Sequence, residues 1–156
     1  MRILGIDPGT VIVGFGVIDV ERGNTTFVDA GVIRTPVRQA DSERLFTIYH
    51  DLEDIIDEHK PDVLSVEKLF FIRNITTAMS VSQARGVILL LGKQKKLQLY
   101  EYTPLQIKQA VTGYGKADKK QIQEMVKIIL KLPQIPKPDD AADALAAAIC
   151  CSTSMR

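Results

Sequence analysis

Four carboxylates in this chain occupy positions where an acid needs a partner. Asp7 ends an apolar run near the N-terminus, and Glu67 ends a second short run that is rich in β-branched residues. Asp140 and Asp143 are three residues apart in an alanine-rich segment, so they share one face of a predicted helix. Because an isolated charge is very costly to bury, acids in such surroundings must be hydrated, paired or bound to a metal.

Each acid also has an ordinary structural explanation. Asp7 is followed by a Pro-Gly pair, and Asp-Pro-Gly is favourable turn chemistry in any protein. Asp139 and Asp140 follow a proline, where either could cap a helix and complement its dipole. Asp143 fits this explanation least, because it lies a full turn further along and is flanked by alanine and leucine residues.

The four acids together indicate a particular chemistry. If an α/β fold brings them to one place, they repel one another unless cations neutralise the cluster. A ligand set made only of oxygen atoms selects Mg²⁺ or Mn²⁺. Two such ions, about 3.5–4 Å apart, can activate a water and stabilise the leaving oxygen in a phosphodiester displacement.

The distribution of charge points in the same direction. Residues 1–90 carry 9 basic and 13 acidic side chains, whereas residues 91–156 carry 11 basic and 6 acidic ones. The net charge of +1 therefore conceals a basic C-terminal part on which a polyanion could dock. An acid cluster beside a basic surface predicts nucleic-acid cleavage.

Length and composition limit the class of protein. With 156 residues, 46% hydrophobic and 25% charged, the chain is expected to form a single domain over residues 1–156. We expect neither a membrane span nor a signal peptide, and hence a cytoplasmic protein. Cys150 and Cys151 are adjacent and poorly placed to pair with each other, so they are expected to be reduced and structurally incidental.

Hydrophobic periodicity predicts the element order βββ-α-β-α-β-α-α-α, an α/β architecture whose mixed sheet begins with an antiparallel meander. Ser42 is the expected N-cap of the first helix, and Gly14 and Gly16 are expected to permit close backbone packing. The strands are predicted over residues 3–6, 11–18, 25–34, 62–67 and 97–102, and the helices over 42–59, 76–91, 104–111, 118–132 and 139–149.

The predicted helix over residues 76–91 is apolar on nearly all sides and contains several small residues. Such a helix is either central to the core of a monomer or shared with a second subunit. We expect it to form the contact of a two-fold symmetric dimer, with Ala84 and Val87 near the axis.

Several stretches of the chain resemble, in the same order, the RuvC family of Holliday junction resolvases within the ribonuclease H-like superfamily. The resemblance covers nearly the whole length. The matching stretches are ILGIDPGT with GFGVI, IRT at residues 33–35, SVEKLFFIRN, SQARGV, YTPLQIKQAVTGYGKADKKQIQEMV and LPQIPKPDDAADALAAAI.

This resemblance implies a ribonuclease H-like fold, a five-stranded mixed sheet flanked by helices, and an endonuclease that resolves four-way DNA junctions. The implied catalytic acids hold two Mg²⁺ ions, with Mn²⁺ as a substitute, and are Asp7, Glu67, Asp140 and Asp143. Some family members have His at the first helix acid, and the spacing favours Asp140 for that position and leaves Asp139 as the helix cap. The resemblance also implies a homodimer and a branch-migration motor of the RuvA and RuvB type as partner.

The DNA contacts are implied by the same resemblance. The basic residues on matching stretches are Lys108, Lys116, Lys119 and Lys120. Lys108 and Lys119 match best, and Lys119 is implied to be catalytic, while ordinary solvated lysines remain the alternative for Lys116 and Lys120. Phe70 matches best and is expected to stack on an unpaired base at the crossover, with the alternative that Phe71, or both phenylalanines, belong to the core.

Three other classes of protein share part of this pattern. Sugar kinases, actin and chaperone ATPases also begin a phosphate loop with an Asp-x-Gly hairpin, but they enclose the nucleotide between two such domains. A related single-domain nuclease of ribosomal RNA precursors would share the acids without SQARGV or the basic stretch. A protein that binds junctions without cutting them would not need all four acids, which are present here.

Overall fold

The order of the helices and strands is the predicted one. The computed structural model describes residues 1–69 and 75–155. The strands are β1 (Arg2–Asp7), β2 (Ile12–Glu21), β3 (Asn24–Arg34), β4 (Val63–Glu67) and β5 (Gln98–Tyr102). The helices are α1 (Asp41–His59), α2 (Ile75–Gln94), α3 (Pro104–Thr112), α4 (Lys119–Ile129) and α5 (Asp139–Ser154).

The five strands form a mixed sheet in the order β3-β2-β1-β4-β5. The first three make the predicted antiparallel meander, and β4 and β5 continue the sheet on the other side of β1, parallel to it. The C-terminal ends of β1, β4 and β5 therefore lie at the same edge of the sheet. Asp7 and Glu67 are the last residues of two neighbouring strands at this edge.

Alternation of side chains along the strands divides the core into two layers. Leu4 and Ile6 of β1 pack on one face of the sheet with buried residues of α1 and α2. Ile3 and Val63 pack on the other face with α3, α4 and α5. Asp7 has the parity of Ile3, so its side chain belongs to the face that α5 covers.

Helix α5 lies directly on β1 and β2 because strand positions beneath it lack side chains. A Cβ atom on Gly5 would overlap the carbonyl oxygen of Ala144, and one on Gly14 would overlap the carbonyl oxygen of Asp140. Gly16 makes room for a leucine of α5 in the same way. The predicted role of Gly14 and Gly16 in close packing is therefore confirmed.

Two predicted helix caps are wrong. Ala40 rather than Ser42 is the N-cap of α1, and it makes no side-chain capping hydrogen bond. Pro138 rather than Asp139 is the N-cap of α5, so Asp139 is the first residue of that helix. In each case the N-cap residue has extended backbone geometry without the polar side chain that usually fills this position. The Asp139 carboxylate is therefore available for another contact.

Helix α2 has one side in the core and the other in solvent. Ala84 and Ile88 are fully buried in the layer formed with α1 and the sheet. On the opposite side, the side chains of Met79 and Leu90 are 63% and 57% exposed. Ala84 therefore belongs to the core of its own chain, and the expectation that it lies at a dimer axis is wrong. A nearly uniform apolar pattern could not identify the buried side of the helix.

By length and composition α2 could cross a membrane, contrary to the expectation from sequence, and it is the one such helix in the described part of the chain. Because its buried side contributes to the core, we interpret α2 as the core helix of a soluble protein. Arg85 of α2 forms an ion pair with Glu101 of β5. The cysteines of α5, Cys150 and Cys151, are buried free thiols, as expected.

Candidate active site

Asp7 and Glu67 lie side by side at the edge of the sheet. The parallel register pairs Ile6 of β1 with Val66 of β4, and each acid is the next residue along its strand. Both residues are partly buried. On the α5 side, the hydroxyl of Ser65 donates a 2.8 Å hydrogen bond to the carbonyl oxygen of a helix residue, which fastens β4 to α5 close to Glu67.

Helix α5 adds the second pair of acids. Asp7 pairs across the sheet with Gly14, and the backbone of Asp140 rests on that glycine. Asp140 is therefore brought next to Asp7 by backbone packing. Asp143 follows one turn further into the helix, and its side chain is 26% exposed. The structure thus brings all four predicted acids to one region.

Burial and mutual repulsion act together on these acids. Burial, reinforced by the charges of the other three acids, raises the pKa of Asp7 to about 8. Burial and the charge of Asp143 raise the pKa of Glu67 to about 7. The pKa of Asp143 is also raised, chiefly by burial, although a hydrogen bond from Lys119 opposes the rise. Negative charge at this site is therefore incompletely compensated by the protein.

Lys119 forms the positive border of the site. It is the first residue of α4, and a capping box between Asp118 and Gln121 fixes where that helix begins. Its Nζ atom lies 3.1 Å from Oδ2 of Asp143 and 3.5 Å from Oδ2 of Asp139. Desolvation tends to lower the pKa of Lys119, but these two carboxylates outweigh it and raise the pKa.

A cavity of about 200 Å³ lies between the acids and the basic residues. Its polar lining consists of Glu67, Asp143, Lys108 and Lys119. Lys108 comes from α3, which begins with a second capping box at Thr103. The remaining wall is apolar and is formed by Pro104, Ile107, Ile122 and Ala146. Such a wall lowers the local dielectric constant and strengthens the interaction between the polar lining and a bound anion.

The acids fit a divalent cation by their chemistry. In the described part of the chain, no group of three or more His, Cys, Asp or Glu side chains has ready-made metal-binding geometry. The carboxylates nevertheless offer only oxygen donors, and their raised pKa values indicate missing positive charge. A divalent cation would supply that charge, and both Mg²⁺ and Mn²⁺ match the donor set.

Three residues predicted for the site lie elsewhere or cannot be located. Lys120 lines a separate cavity of about 400 Å³, together with Thr112 and Tyr114. Lys116 is exposed in the loop between α3 and α4, outside the lining of the cavity near the acids. Phe70 is outside the described residues.

Sequence reasoning missed the contact between Asp139 and Lys119. One signal was present, since Asp139 is four residues before Asp143 and therefore shares its helix face. Nothing in the spacing, however, indicated that the start of α4 would face this side of α5.

Comparison with known proteins gives consistent matches over the whole chain. The family model described as crossover junction endodeoxyribonuclease RuvC matches residues 3–151. The RuvC protein of Heliobacterium modesticaldum is 54% identical over 155 residues, which cover 99% of this chain and 96% of the relative. That of Desulfitobacterium hafniense is 59% identical over 151 residues, which cover 96% and 91%.

Solved structures match the chain in the same way as these relatives. The structure of Thermus thermophilus RuvC in complex with a Holliday junction substrate matches with a TM-score of 0.95 and 32% identity, covering 100% of this chain and 95% of that one. A fowlpox virus resolvase matches with a TM-score of 0.64 at 12% identity, covers 99% of each chain and shows the shared fold alone. The predicted ribonuclease H-like fold is confirmed. Since the family model spans most of the chain and these relatives are more than half identical to it, the chain belongs to the RuvC family of crossover junction endodeoxyribonucleases.

Proposed function

We propose that this chain resolves four-way DNA junctions by paired, symmetric hydrolysis of two phosphodiester bonds, in DNA recombination and repair. The observation that carries the proposal is the cavity in which partly buried carboxylates face two lysines. Membership of the RuvC family supports it, as does the related structure from Thermus thermophilus that holds a Holliday junction substrate. In this proposal residues 1–156 form a single nuclease domain.

The acids proposed to hold two Mg²⁺ ions, with Mn²⁺ as a substitute, are Asp7, Glu67, Asp140 and Asp143. When bound, such ions activate a water and stabilise the leaving oxygen. The chain itself brings the acids to one end of the sheet and borders the cavity with an apolar wall. Lys119 and Lys108 place positive charge where the scissile phosphate would enter, and Lys119 is proposed to be catalytic.

Further contacts with DNA belong to the proposal. Lys116 and Lys120 are exposed on the same part of the chain and would attract phosphates at a greater distance from the cavity. Phe70, which lies outside the described residues, is proposed to stack on an unpaired base at the crossover.

A homodimer suits this function, because a four-way junction presents two equivalent strands to a two-fold symmetric enzyme. We assign the contact to the exposed stripe of α2 formed by Met79, Gly86 and Leu90, which we call the α2 stripe. These residues are seven and four positions apart, so they lie along one side of the helix. A branch-migration motor of the RuvA and RuvB type as partner and a cytoplasmic location complete the proposal.

The function can be tested with three substrates in the presence of Mg²⁺: a synthetic four-way junction, a linear duplex and an RNA–DNA hybrid. We expect paired nicks at symmetric positions in the junction and little cleavage of the other two. Equal cleavage of all three would contradict junction selectivity, and turnover of ATP without DNA cleavage would support the sugar kinase and actin class. Asp143→Asn is the matched control, expected to bind the junction without cutting it.

A further inference from the structure

Lys119 lies between two carboxylates of α5 that have different surroundings. Its Nζ atom is 3.1 Å from Asp143 and 3.5 Å from Asp139. These aspartates are four residues apart and therefore project from the same side of the helix. The side chain of Asp143 is 26% exposed and that of Asp139 is 56% exposed. Lys119 can therefore shift from the inner carboxylate to the outer one with a small movement.

The two carboxylates are not equally able to form an ion pair with Lys119 during the reaction. Asp143 lines the cavity with Glu67, so a cation held by the cavity acids would compete with the ammonium group for the oxygens of Asp143. Two positive groups beside one carboxylate also repel each other. Asp139 is more exposed than Asp143 and is not one of the four acids proposed to hold the cations, so its carboxylate is free of this competition.

From this arrangement we propose that Asp139 is a positioning residue, which holds Lys119 at the edge of the cavity once the Asp143 carboxylate is engaged by a cation. This inference rests on the proposed function, because it assigns Lys119 to the scissile phosphate. Asp139 itself contacts neither the substrate nor the cation and acts through Lys119. Without it, the ammonium group remains on Asp143, where it opposes cation binding and is withdrawn from the phosphate.

A double-mutant cycle between Asp139→Asn and Lys119→Met tests this coupling. The two measurements are Mn²⁺ affinity of the DNA-free protein, followed by electron paramagnetic resonance, and single-turnover cleavage of a four-way junction. In the wild-type background, Asp139→Asn is expected to weaken Mn²⁺ binding and to slow cleavage by about twofold to fivefold each, the range for a partly exposed ion pair. In the Lys119→Met background, the same change is expected to have almost no effect on either quantity.

Two further variants make the result specific. Asp139→Glu keeps the carboxylate and is expected to restore most of both quantities. Glu124→Gln removes an acid from α4 that lines the separate cavity near Tyr114, and it is expected to change neither. Thermal unfolding of every variant establishes that each is folded.

The inference is overturned if Asp139→Asn has the same effect with or without Lys119, because Asp139 would then act as a ligand or as a simple negative charge. It is equally overturned if Asp139→Asn has no effect in the wild-type background. Failure of the proposed function would appear differently, as an absence of junction cleavage by the unmodified protein, while the Mn²⁺ measurement would still report the coupling.

Discussion

The partly buried acids Asp7 and Glu67 destabilise the folded chain in the absence of a cation. The pKa values of Asp7 and Glu67, about 8 and about 7, mean that ionising either group in the folded chain is unfavourable. Sites of this kind trade stability for function. Replacing one of these acids with an amide should therefore stabilise the fold while abolishing the activity.

Asp7→Asn tests at a single residue whether stability is gained when activity is lost. We expect the free energy of unfolding without divalent cations to rise by about 1–2 kcal/mol at neutral pH, since an amide has no charge to bury and takes up no proton on folding. Junction cleavage should fall at least about a hundredfold, while junction binding remains. Denaturant unfolding, binding and cleavage assays measure the three quantities.

Asp62→Asn is a control for the loss of one acid at the opposite end of the sheet, where Asp62 accepts a hydrogen bond from the backbone of Arg2. It should not increase stability. If Asp7→Asn unfolded the chain or abolished binding together with cleavage, Asp7 would be a structural residue.

The raised pKa values also predict how stability depends on pH. The unfolded acids lose their protons near pH 4, whereas Asp7 and Glu67 in the folded chain keep theirs until about pH 8 and 7. Between these limits the folded state binds more protons, so the free energy of unfolding decreases as the pH rises. Without divalent cations, we expect Tm to decrease from pH 5 to pH 8 more steeply than in a variant with both Asp7→Asn and Glu67→Gln.

Added Mg²⁺ should raise Tm more at pH 8 than at pH 5, because the ion binds the ionised carboxylates. Differential scanning calorimetry across this range measures both effects. An equal dependence on pH in the unmodified protein and the double variant would show that these two acids do not titrate as described.

At the scale of elements, the separation between α5 and the sheet depends on a missing side chain. A Cβ atom at Gly14 would overlap the carbonyl oxygen of Asp140. Gly14→Ala should therefore displace the start of α5, lower the free energy of unfolding by about 1–3 kcal/mol and slow cleavage at least about tenfold. Denaturant unfolding and single-turnover cleavage at saturating Mg²⁺ measure the two effects.

Gly31→Ala is the matched control in the neighbouring strand. A Cβ atom there would meet the ring of Phe15, which is a side chain and can move. This change should affect cleavage much less than Gly14→Ala. Wild-type cleavage by a stable Gly14→Ala variant would mean that backbone contact at this position does not set the geometry of the acids.

Sequence alone could predict the elements and the acids at their ends. Asp7 and Glu67 follow recognisable apolar runs, and the three-residue spacing of Asp140 and Asp143 is a local helical property. Both signals depend on a few neighbouring residues. They can therefore be recognised without knowledge of the tertiary structure.

Contacts between distant elements could not be predicted in this way. Whether Ala84 faces the sheet depends on how α2 is rotated, and a helix that is apolar on most sides carries little information about rotation. The contact of Lys119 with Asp139 depends on where α4 begins relative to α5. The unusual N-caps at Ala40 and Pro138 were missed because neither residue has a capping side chain.

At the scale of the whole molecule, the α2 stripe can be tested without disturbing the core. A Cβ atom on Gly86 has open space around it within the chain, so Gly86→Glu should fold as well as the unmodified protein. In a dimer formed through this stripe, the two charges would meet near the axis and separate the subunits. We expect a folded monomer by sedimentation and unpaired nicks in a junction held in supercoiled DNA.

Ile128→Glu is the control, since Ile128 on α4 is 62% exposed and lies on the opposite side of the sheet. This variant should remain dimeric and make paired cuts. An unmodified protein that is monomeric even when bound to the junction would exclude the proposed symmetric dimer.

Helix α5, which carries two of the acids, and helix α2, which carries the α2 stripe, pack on opposite faces of the same sheet. If the proposed dimer and the proposed role of Asp143 hold, an allele encoding Asp143→Asn would lose catalysis and keep the dimer contact. In a cell that makes mutant and wild-type chains equally, random pairing leaves about one quarter of dimers with two working sites. That allele should be dominant negative for survival after DNA damage, and adding Leu90→Glu to the same chain should make it recessive.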